Sequence, residues 1–171
     1  MTIENAARVA QIVTAAVAVL ALLVAYNSVR VQRGIARRRA AIDFFLKTEM
    51  DEKVVNKLLA FGKKIDEFKS SASIEEFAKT ESCTDIHHCL YIYELMAVGI
   101  HNKIFDQRIC YEYWRDELNR AYNSAKEIID YDRMQPGRAD TYCDLIRLQK
   151  KWTGPHWIWQ RWRSRWWPLH F

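Results

Sequence analysis

The sequence predicts an all-α protein, in which one N-terminal transmembrane helix continues into a small helical bundle that ends in a Trp/Arg-rich tail. Three observations predict this architecture. Glycine and proline are scarce, at 5 and 3 of 171 residues, and apolar residues recur at helical rather than alternating spacing. A long uncharged segment lies near the N-terminus. Six of the seven tryptophans fall within the last twenty residues.

The N-terminal region, residues 1–29, contains the predicted membrane helix. Residues 9–26 carry no charge, and 18 helical residues cover about 27 Å, close to the ~30 Å hydrocarbon core. A buried core helix is the first alternative, but few small domains can surround such a helix on every side. A cleaved signal peptide is the second, but the strongly basic exit does not fit one. The expected anchor side chains are Val9, Val13, Val17, Leu20, Leu23 and Tyr26.

Arginines set the predicted orientation. Five of them and no acidic residue lie between Arg30 and Arg39, so the positive-inside rule places the N-terminus outside and the rest of the chain in the cytoplasm. We expect Arg30, Arg33 and Arg37 to lie at the membrane surface. In that compartment the four cysteines stay reduced and are expected to be small buried hydrophobic residues.

Residues 30–153 are predicted to form the cytoplasmic helical bundle. The first helix is expected to run on to Thr48 or Glu49. Its expected buried stripe is Ile35, Ile42, Phe45 and Leu46. Ser73 and Asp106 are predicted helix caps, and Thr84 or Ser82 is expected to cap the central helix. The acidic residues Asp51 and Glu52 are predicted to open the second helix. The further predicted helices are residues 51–68, 74–79, 84–105, 106–133 and 140–152.

Glu94 is the only ionisable carboxylate in the apolar stretch between Cys89 and Ile100. A carboxylate there costs free energy unless it is paired or hydrogen-bonded. We therefore predict a buried polar pair between Glu94 and Arg39, with Arg38 as the alternative partner. A buried general base is the functional alternative, but no nucleophile or metal constellation accompanies it.

The local cluster Cys83, His87, His88 and Cys89 offers two ligands on one helical turn, whereas a structural zinc site normally needs four. No phosphate-binding loop, serine elbow or catalytic carboxylate pair is present in the sequence. The prediction is therefore a chain with no metal, no cofactor, no catalytic residues and no enzymatic activity.

The tail, residues 154–171, interleaves tryptophans with arginines. Tryptophan prefers the headgroup layer and arginine attracts anionic lipid. We expect these side chains to bind the inner leaflet; the alternative is that the aromatic residues pack on the bundle. Nucleic acid is disfavoured as a partner, because residues 40–149 carry 15 basic and 20 acidic residues. The interfacial set comprises Trp157, Trp159, Trp162, Trp166 and Trp167, and the basic set comprises Arg161, Arg163 and Arg165.

Two stretches resemble the bacterial domain-of-unknown-function family 4760. One is RRAAIDFFLKT at residues 38–48, and the other is YELMAVGI at residues 93–100 followed by Ile104-Phe105-Asp106. The resemblance covers roughly residues 30–133. It implies an N-terminal membrane helix with a helical cytoplasmic domain in the bacterial inner membrane, and it implies no activity.

The sequence thus predicts a single-pass, membrane-anchored interaction module on the cytoplasmic face, with anionic lipid and an unidentified protein as partners. Small residues in the membrane helix leave a homo-oligomer open as well. The alternative function is a membrane-acting effector, in phage defence or growth arrest, that uses the Trp/Arg tail.

Overall fold

The computed structural model describes residues 3–154, except for the side chains of Ile3, Glu4, Ala6, Ala7, Val9 and Ala10. The described residues form helices without strands, which confirms the all-α fold. The helices are α1 (Ile3–Met50), α2 (Glu52–Lys69), α3 (Ile74–Phe77), α4 (Glu81–His101), α5 (Gln107–Ser124), α6 (Lys126–Met134) and α7 (Cys143–Thr153).

The chain divides into two compact units within α1. The first is the part of α1 up to Ala36, and the second consists of α1 from Arg37 onward together with α2–α7. We refer to the second unit as the body.

Side-chain caps determine where several helices of the body begin. Asp51 accepts hydrogen bonds from the N–H groups of Lys53 and Val54. Ser73 and Asp106 cap α3 and α5 in the same way. The caps Ser73 and Asp106 confirm the prediction, and Asp51 confirms the predicted start of α2, because capping depends on residues only two or three positions apart. The cap of α4 is Thr80, so the prediction of Ser82 or Thr84 was wrong.

The central helix of the body is α4, which packs against α2, α5 and α7. Nine of its residues are buried, including Ile86, Leu90 and Met96. Its last turn needs a glycine at position 99, because a Cβ there would overlap the ring of Phe105. The chain turns so tightly after α4 that the N–H groups of both Ile104 and Phe105 donate to the Gly99 carbonyl.

The body side of α1 differs from the predicted stripe. Ala41, Phe45 and Thr48 are buried, and the Phe45 ring stacks on Tyr113 and Trp114. Of the predicted stripe only Phe45 is buried, whereas Ile35, Ile42 and Leu46 are 44%, 46% and 53% exposed. The prediction failed because this helix has apolar residues on two sides, and only tertiary contacts decide which side the body covers.

The predicted helix 106–133 is two helices. α5 ends at Ser124 and α6 begins at Lys126, with Ala125 between them at φ −100° and ψ 11°. No glycine or proline marks this break. The predicted helices 106–133 and 140–152 leave a break between them, and this break is present after Met134, but α7 begins at Cys143 rather than Asp140.

Candidate functional site

The apolar part of α1 exposes every side chain from Gln11 to Arg33. Among the described residues, one helix is long and apolar enough to cross a membrane, with a candidate span within Gln11–Met50 and a mean hydropathy of 2.2. Bulky residues from Ile12 to Tyr26 are 55–70% exposed. This segment can be buried only by something outside its own unit, such as lipid or another helix.

The body contains a cleft of about 710 Å³ between α2 and α5. Both helices pack on α4, and Tyr93 of α4 contributes to the cleft lining. The lining combines polar groups with apolar and aromatic side chains, the latter including Leu58, Phe61, Ile65, Tyr93 and Trp114. Two further lining residues are unusually exposed for their type, Leu59 at 78% and Tyr113 at 56%.

The charged residues of the cleft have both signs. Three are acidic and two are basic: Glu49, Asp66, Glu117, Lys69 and Arg120. Four of the five form ion pairs along their own helices, at 4.0 Å for Lys69–Asp66 and 3.4 Å for Arg120–Glu117. Glu49 instead accepts a 3.4 Å hydrogen bond from the Tyr113 hydroxyl. A cleft that combines apolar side chains with charges of both signs suits an amphipathic segment.

Glu94 caps a neighbouring helix instead of pairing with an arginine. One of its carboxylate oxygens accepts from the N–H of Leu145 at 2.7 Å, and the other accepts from the N–H of Asp144 at 3.3 Å. These N–H groups lie in the first turn of α7, whose own N-cap residue, Tyr142, makes no capping hydrogen bond. Burial raises the pKa of Glu94, and the two backbone hydrogen bonds oppose that shift.

The Glu94–Arg39 pair was therefore a wrong prediction. Arg39 is exposed, and Arg38 lies 3.6 Å from Asp106 instead. The prediction was right that the half-buried carboxylate of Glu94 needs a hydrogen-bonding partner. The partner is the N-terminus of α7, where free N–H groups and the helix dipole favour a negative charge.

Glu94, Cys143 and Asp144 each offer one ligand atom, and these atoms lie within 4.8 Å of one another. Both Glu94 oxygens already accept backbone hydrogen bonds, and Arg147 lies 3.0 Å from Asp144. The capping role accounts for this group without a metal ion.

A second polar group surrounds His87 on α4. The His87 Nε2 atom lies 3.4 Å from Cys83 Sγ, and Nδ1 lies 2.8 Å from the Tyr142 hydroxyl and 3.4 Å from Asp132 Oδ2. The group joins α4 to α6 and to the start of α7. Tyr142 has a left-handed φ of 58°, and its ring is stacked on His87.

This order of cysteine, histidine and aspartate resembles a nucleophile with its base. However, Cys83 is only 2% exposed, and burial, reinforced by Asp132, raises its pKa to about 11. Reactive cysteines have the opposite properties, namely an exposed sulfur and a lowered pKa. Burial also lowers the pKa of His87, with Asp132 opposing and Arg138 and His88 reinforcing that shift. These properties favour a structural role in joining the helices.

Comparison with known protein families gives one match. The family model described as Domain of unknown function (DUF4760) matches residues 10–152. The chain belongs to this family. No curated protein and no solved structure matches it.

The match covers most of this DUF4760 chain and extends beyond the stretches that carried the resemblance. It begins in the apolar part of α1, includes the body and ends at Trp152 within α7. The residues after 152 are not matched, so the Trp/Arg tail is outside the shared region.

The predicted anchor residues of this DUF4760 chain, from Val13 to Tyr26, are exposed, while the side chain of Val9 lies outside the described residues. Arg30 and Arg33 are exposed and Arg37 is half-buried. The predicted tail residues also lie outside the described part of the chain: Trp157, Trp159, Arg161, Trp162, Arg163, Arg165, Trp166 and Trp167.

Sequence reasoning missed the cleft and two members of the His87 group, Asp132 and Tyr142. The cleft had one signal, since α2 carries more apolar residues than a single neighbour can cover, yet only Ile65 and Phe68 are fully buried. The spacing of four residues indicated that Cys83 and His87 lie close together, but nothing indicated Asp132 and Tyr142, which are 45 and 55 positions away from His87.

Proposed function

We propose that this chain is a single-pass membrane protein whose body is a non-enzymatic interaction module on the cytoplasmic face of the bacterial inner membrane. The observation that carries the proposal is the apolar part of α1, whose side chains are exposed around the whole helix. Soluble monomers rarely expose apolar patches above a few hundred Å². About 20 apolar residues is also the length that a bilayer covers.

The proposed orientation rests on the charge that follows this segment. Arg30, Arg33 and the basic residues 37–39 would remain on the cytoplasmic side. Each basic residue near anionic lipid contributes about 1 kcal/mol. The inner leaflet would then be the lipid partner of this part of the chain.

Membrane extraction and reporter fusions test the anchor and its orientation. The full chain should resist alkaline carbonate extraction, and the double variant Val17→Arg/Leu20→Arg should become extractable. A fluorescent reporter fused after Phe171 should be active, whereas a phosphatase that works only outside the cytoplasm should be inactive. A soluble wild-type chain or an active phosphatase would refute the proposal.

We further propose that the cleft binds an amphipathic helix of a second protein. The combination of apolar side chains with charges of both signs in the cleft supports this occupant, since such helices place apolar anchors in a groove and polar residues at its edge. Gly62 lines the cleft, and a Cβ at that position would meet nothing within 4 Å. Gly62→Trp should therefore fill the cleft without disturbing the fold.

A photo-crosslinking residue at Leu59 tests this occupant in intact membranes. The crosslink to a partner should be lost in Gly62→Trp and retained in Lys63→Trp, the matched variant at the next position. The crosslinked partner peptide should be amphipathic at helical spacing. A crosslink that is equal in both variants would show that the partner does not occupy the cleft.

A further inference from the structure

Within the body, α1 has a second apolar side that the described residues 37–154 leave largely exposed. Ala41, Phe45 and Thr48 are buried, whereas Ile42 and Leu46 remain about half exposed. Successive helical residues are rotated by about 100°, so Ile42 and Leu46 lie well to one side of the buried residues. No element of the body covers this side.

The uncovered residues have heptad spacing. Ile35 and Ile42 are seven residues apart and occupy equivalent d positions, and Leu46 occupies an a position four residues after Ile42. We infer that this side of α1 is the seam of a parallel two-stranded coiled coil between two copies of this chain. Apolar residues at a and d that recur every 3.5 residues are the basis of such packing.

Charge complementarity supports a second copy as the occupant. In this frame Arg38 is a g residue and Asp43 is the e residue of the following heptad, which is the pair that meets across a parallel two-stranded coiled coil. Asp43 is exposed and forms no ion pair among residues 3–154. Arg38 is 67% exposed at its side chain despite the 3.6 Å approach to Asp106. In a dimer, Arg38 of each copy would therefore lie beside Asp43 of the other copy, once on each side of the seam.

The same heptad numbering continues toward the N-terminus through the apolar part of α1. All a and d positions from residue 11 to residue 28 carry small or uncharged polar residues, and the bulky aliphatic residues of that stretch occupy other positions. In lipid, small side chains at a helix interface permit close approach and van der Waals packing. These residues are Gln11, Thr14, Ala18, Ala21, Ala25 and Ser28.

Arg39 occupies an a position of the seam, where a charge lowers the stability of the coiled coil but limits its register. The expected product is therefore a reversible dimer. The inference rests on the proposed membrane insertion, because insertion places both copies in one orientation and at one depth.

Cysteine crosslinking of the full chain in native membranes tests the seam. In a Cys143→Ser background, Ser28→Cys and Ile35→Cys should form disulfide-linked dimers under mild oxidation. The matched variants Asn27→Cys and Gly34→Cys lie one residue away, off the seam. They should crosslink at least about tenfold less. Equal crosslinking on and off the seam, or none at either seam position, would overturn the inference.

A second set of variants tests the seam without altering the buried face of α1. Ile42→Lys/Leu46→Lys should lower crosslinking through Ser28→Cys by about tenfold or more, whereas Leu95→Lys, a similarly exposed site on α4 outside the cleft, should leave it unchanged. A crosslinked product with the mass of this chain plus a different protein would also overturn the dimer. Carbonate extraction of the same samples separates the failure of the seam from the failure of membrane insertion. If crosslinking on the seam is absent while the chain stays in the membrane, the seam is refuted and the proposed insertion is not.

Discussion

Glu94 shows how one residue can connect two helices that are distant in sequence. It lies on α4 and accepts from N–H groups in the first turn of α7, about 50 positions later. Tyr142 occupies the local cap position of α7, but its side chain makes no capping hydrogen bond. The cap is thus supplied from another helix, and it fixes the position of α7 against α4.

Replacing Glu94 should separate capping from charge. Glu94→Ala leaves two N–H groups without their acceptor and should lower the free energy of unfolding by about 1–2 kcal/mol. Glu94→Gln retains a carbonyl acceptor and should cost less than half of that loss. Chemical denaturation of the full chain in detergent measures both. Unchanged stability in Glu94→Ala would contradict the capping role.

The Glu94→Gln variant should also change the pH dependence of stability. Burial raises the pKa of Glu94 in the folded state, so the folded chain binds this proton more tightly than the unfolded chain does. The contribution is present below the ordinary carboxyl pKa and is lost as pH rises through the folded value. Relative to the wild type, Glu94→Gln should therefore gain stability as pH rises above about 4.5. A constant difference between the two proteins across that range would contradict this assignment.

His87 should make the body less stable in mild acid. Its pKa is lowered in the folded state by burial, so the unfolded chain takes up this proton first as pH falls below about 6.5. The melting temperature should fall between pH 7 and pH 5, and His87→Gln should reduce that fall. His101→Gln is the control, because His101 is exposed and does not contribute to the pKa shift of His87. A wild-type slope that persists in His87→Gln would assign the pH dependence to another group.

At the scale of the helices, the sequence predicted features that depend on near neighbours. Asp106 was a predicted cap and Asp51 a predicted helix start, and each accepts hydrogen bonds from N–H groups two and three positions later. The break at Ala125 was not predictable, since no residue there prevents a helix. The covered side of α1 was not predictable either, because its partners Tyr113 and Trp114 lie about 70 positions away.

The same distinction applies to the candidate site. The apolar part of α1 was predictable because length and composition alone determine whether a helix matches a bilayer. The cleft depends on how α2 and α5 are placed on α4, and the partner of Glu94 depends on where α7 begins. Both are consequences of packing between distant segments, which spacing within a single helix does not record.

Two substitutions on α1 test which side of the helix packs on the body. Phe45→Ala removes a buried ring that stacks on Tyr113 and Trp114 and should lower the free energy of unfolding by about 3–5 kcal/mol. Met50→Ala is the control, since Met50 is exposed and its loss should change stability by less than about 0.5 kcal/mol. Equal losses would mean that the packed side has been assigned wrongly.

At the scale of the whole molecule, charge is segregated along the chain. Residues 40–149 have five more acids than bases, whereas the flanks 30–39 and 150–171 contain ten basic residues and no acid. Only the flanks have the sign that anionic lipid attracts. Because the proposed anchor would hold the tail close to the bilayer, even weak contacts by its arginines and tryptophans would be effective through high local concentration.

Truncation after Gly154 distinguishes the interaction module from the membrane-acting effector. If the chain is a tethered module, induced expression of the full chain should leave the membrane potential unchanged, because one span and a surface-bound tail open no path for ions. If it is an effector, expression should depolarise the membrane, and truncation should abolish that effect while the protein stays carbonate-resistant. A potential-sensitive dye measures both, with Val17→Arg/Leu20→Arg as the control without an anchor. Depolarisation that requires residues 155–171 would replace the module with the effector, because lipid perturbation would then be a property of the tail.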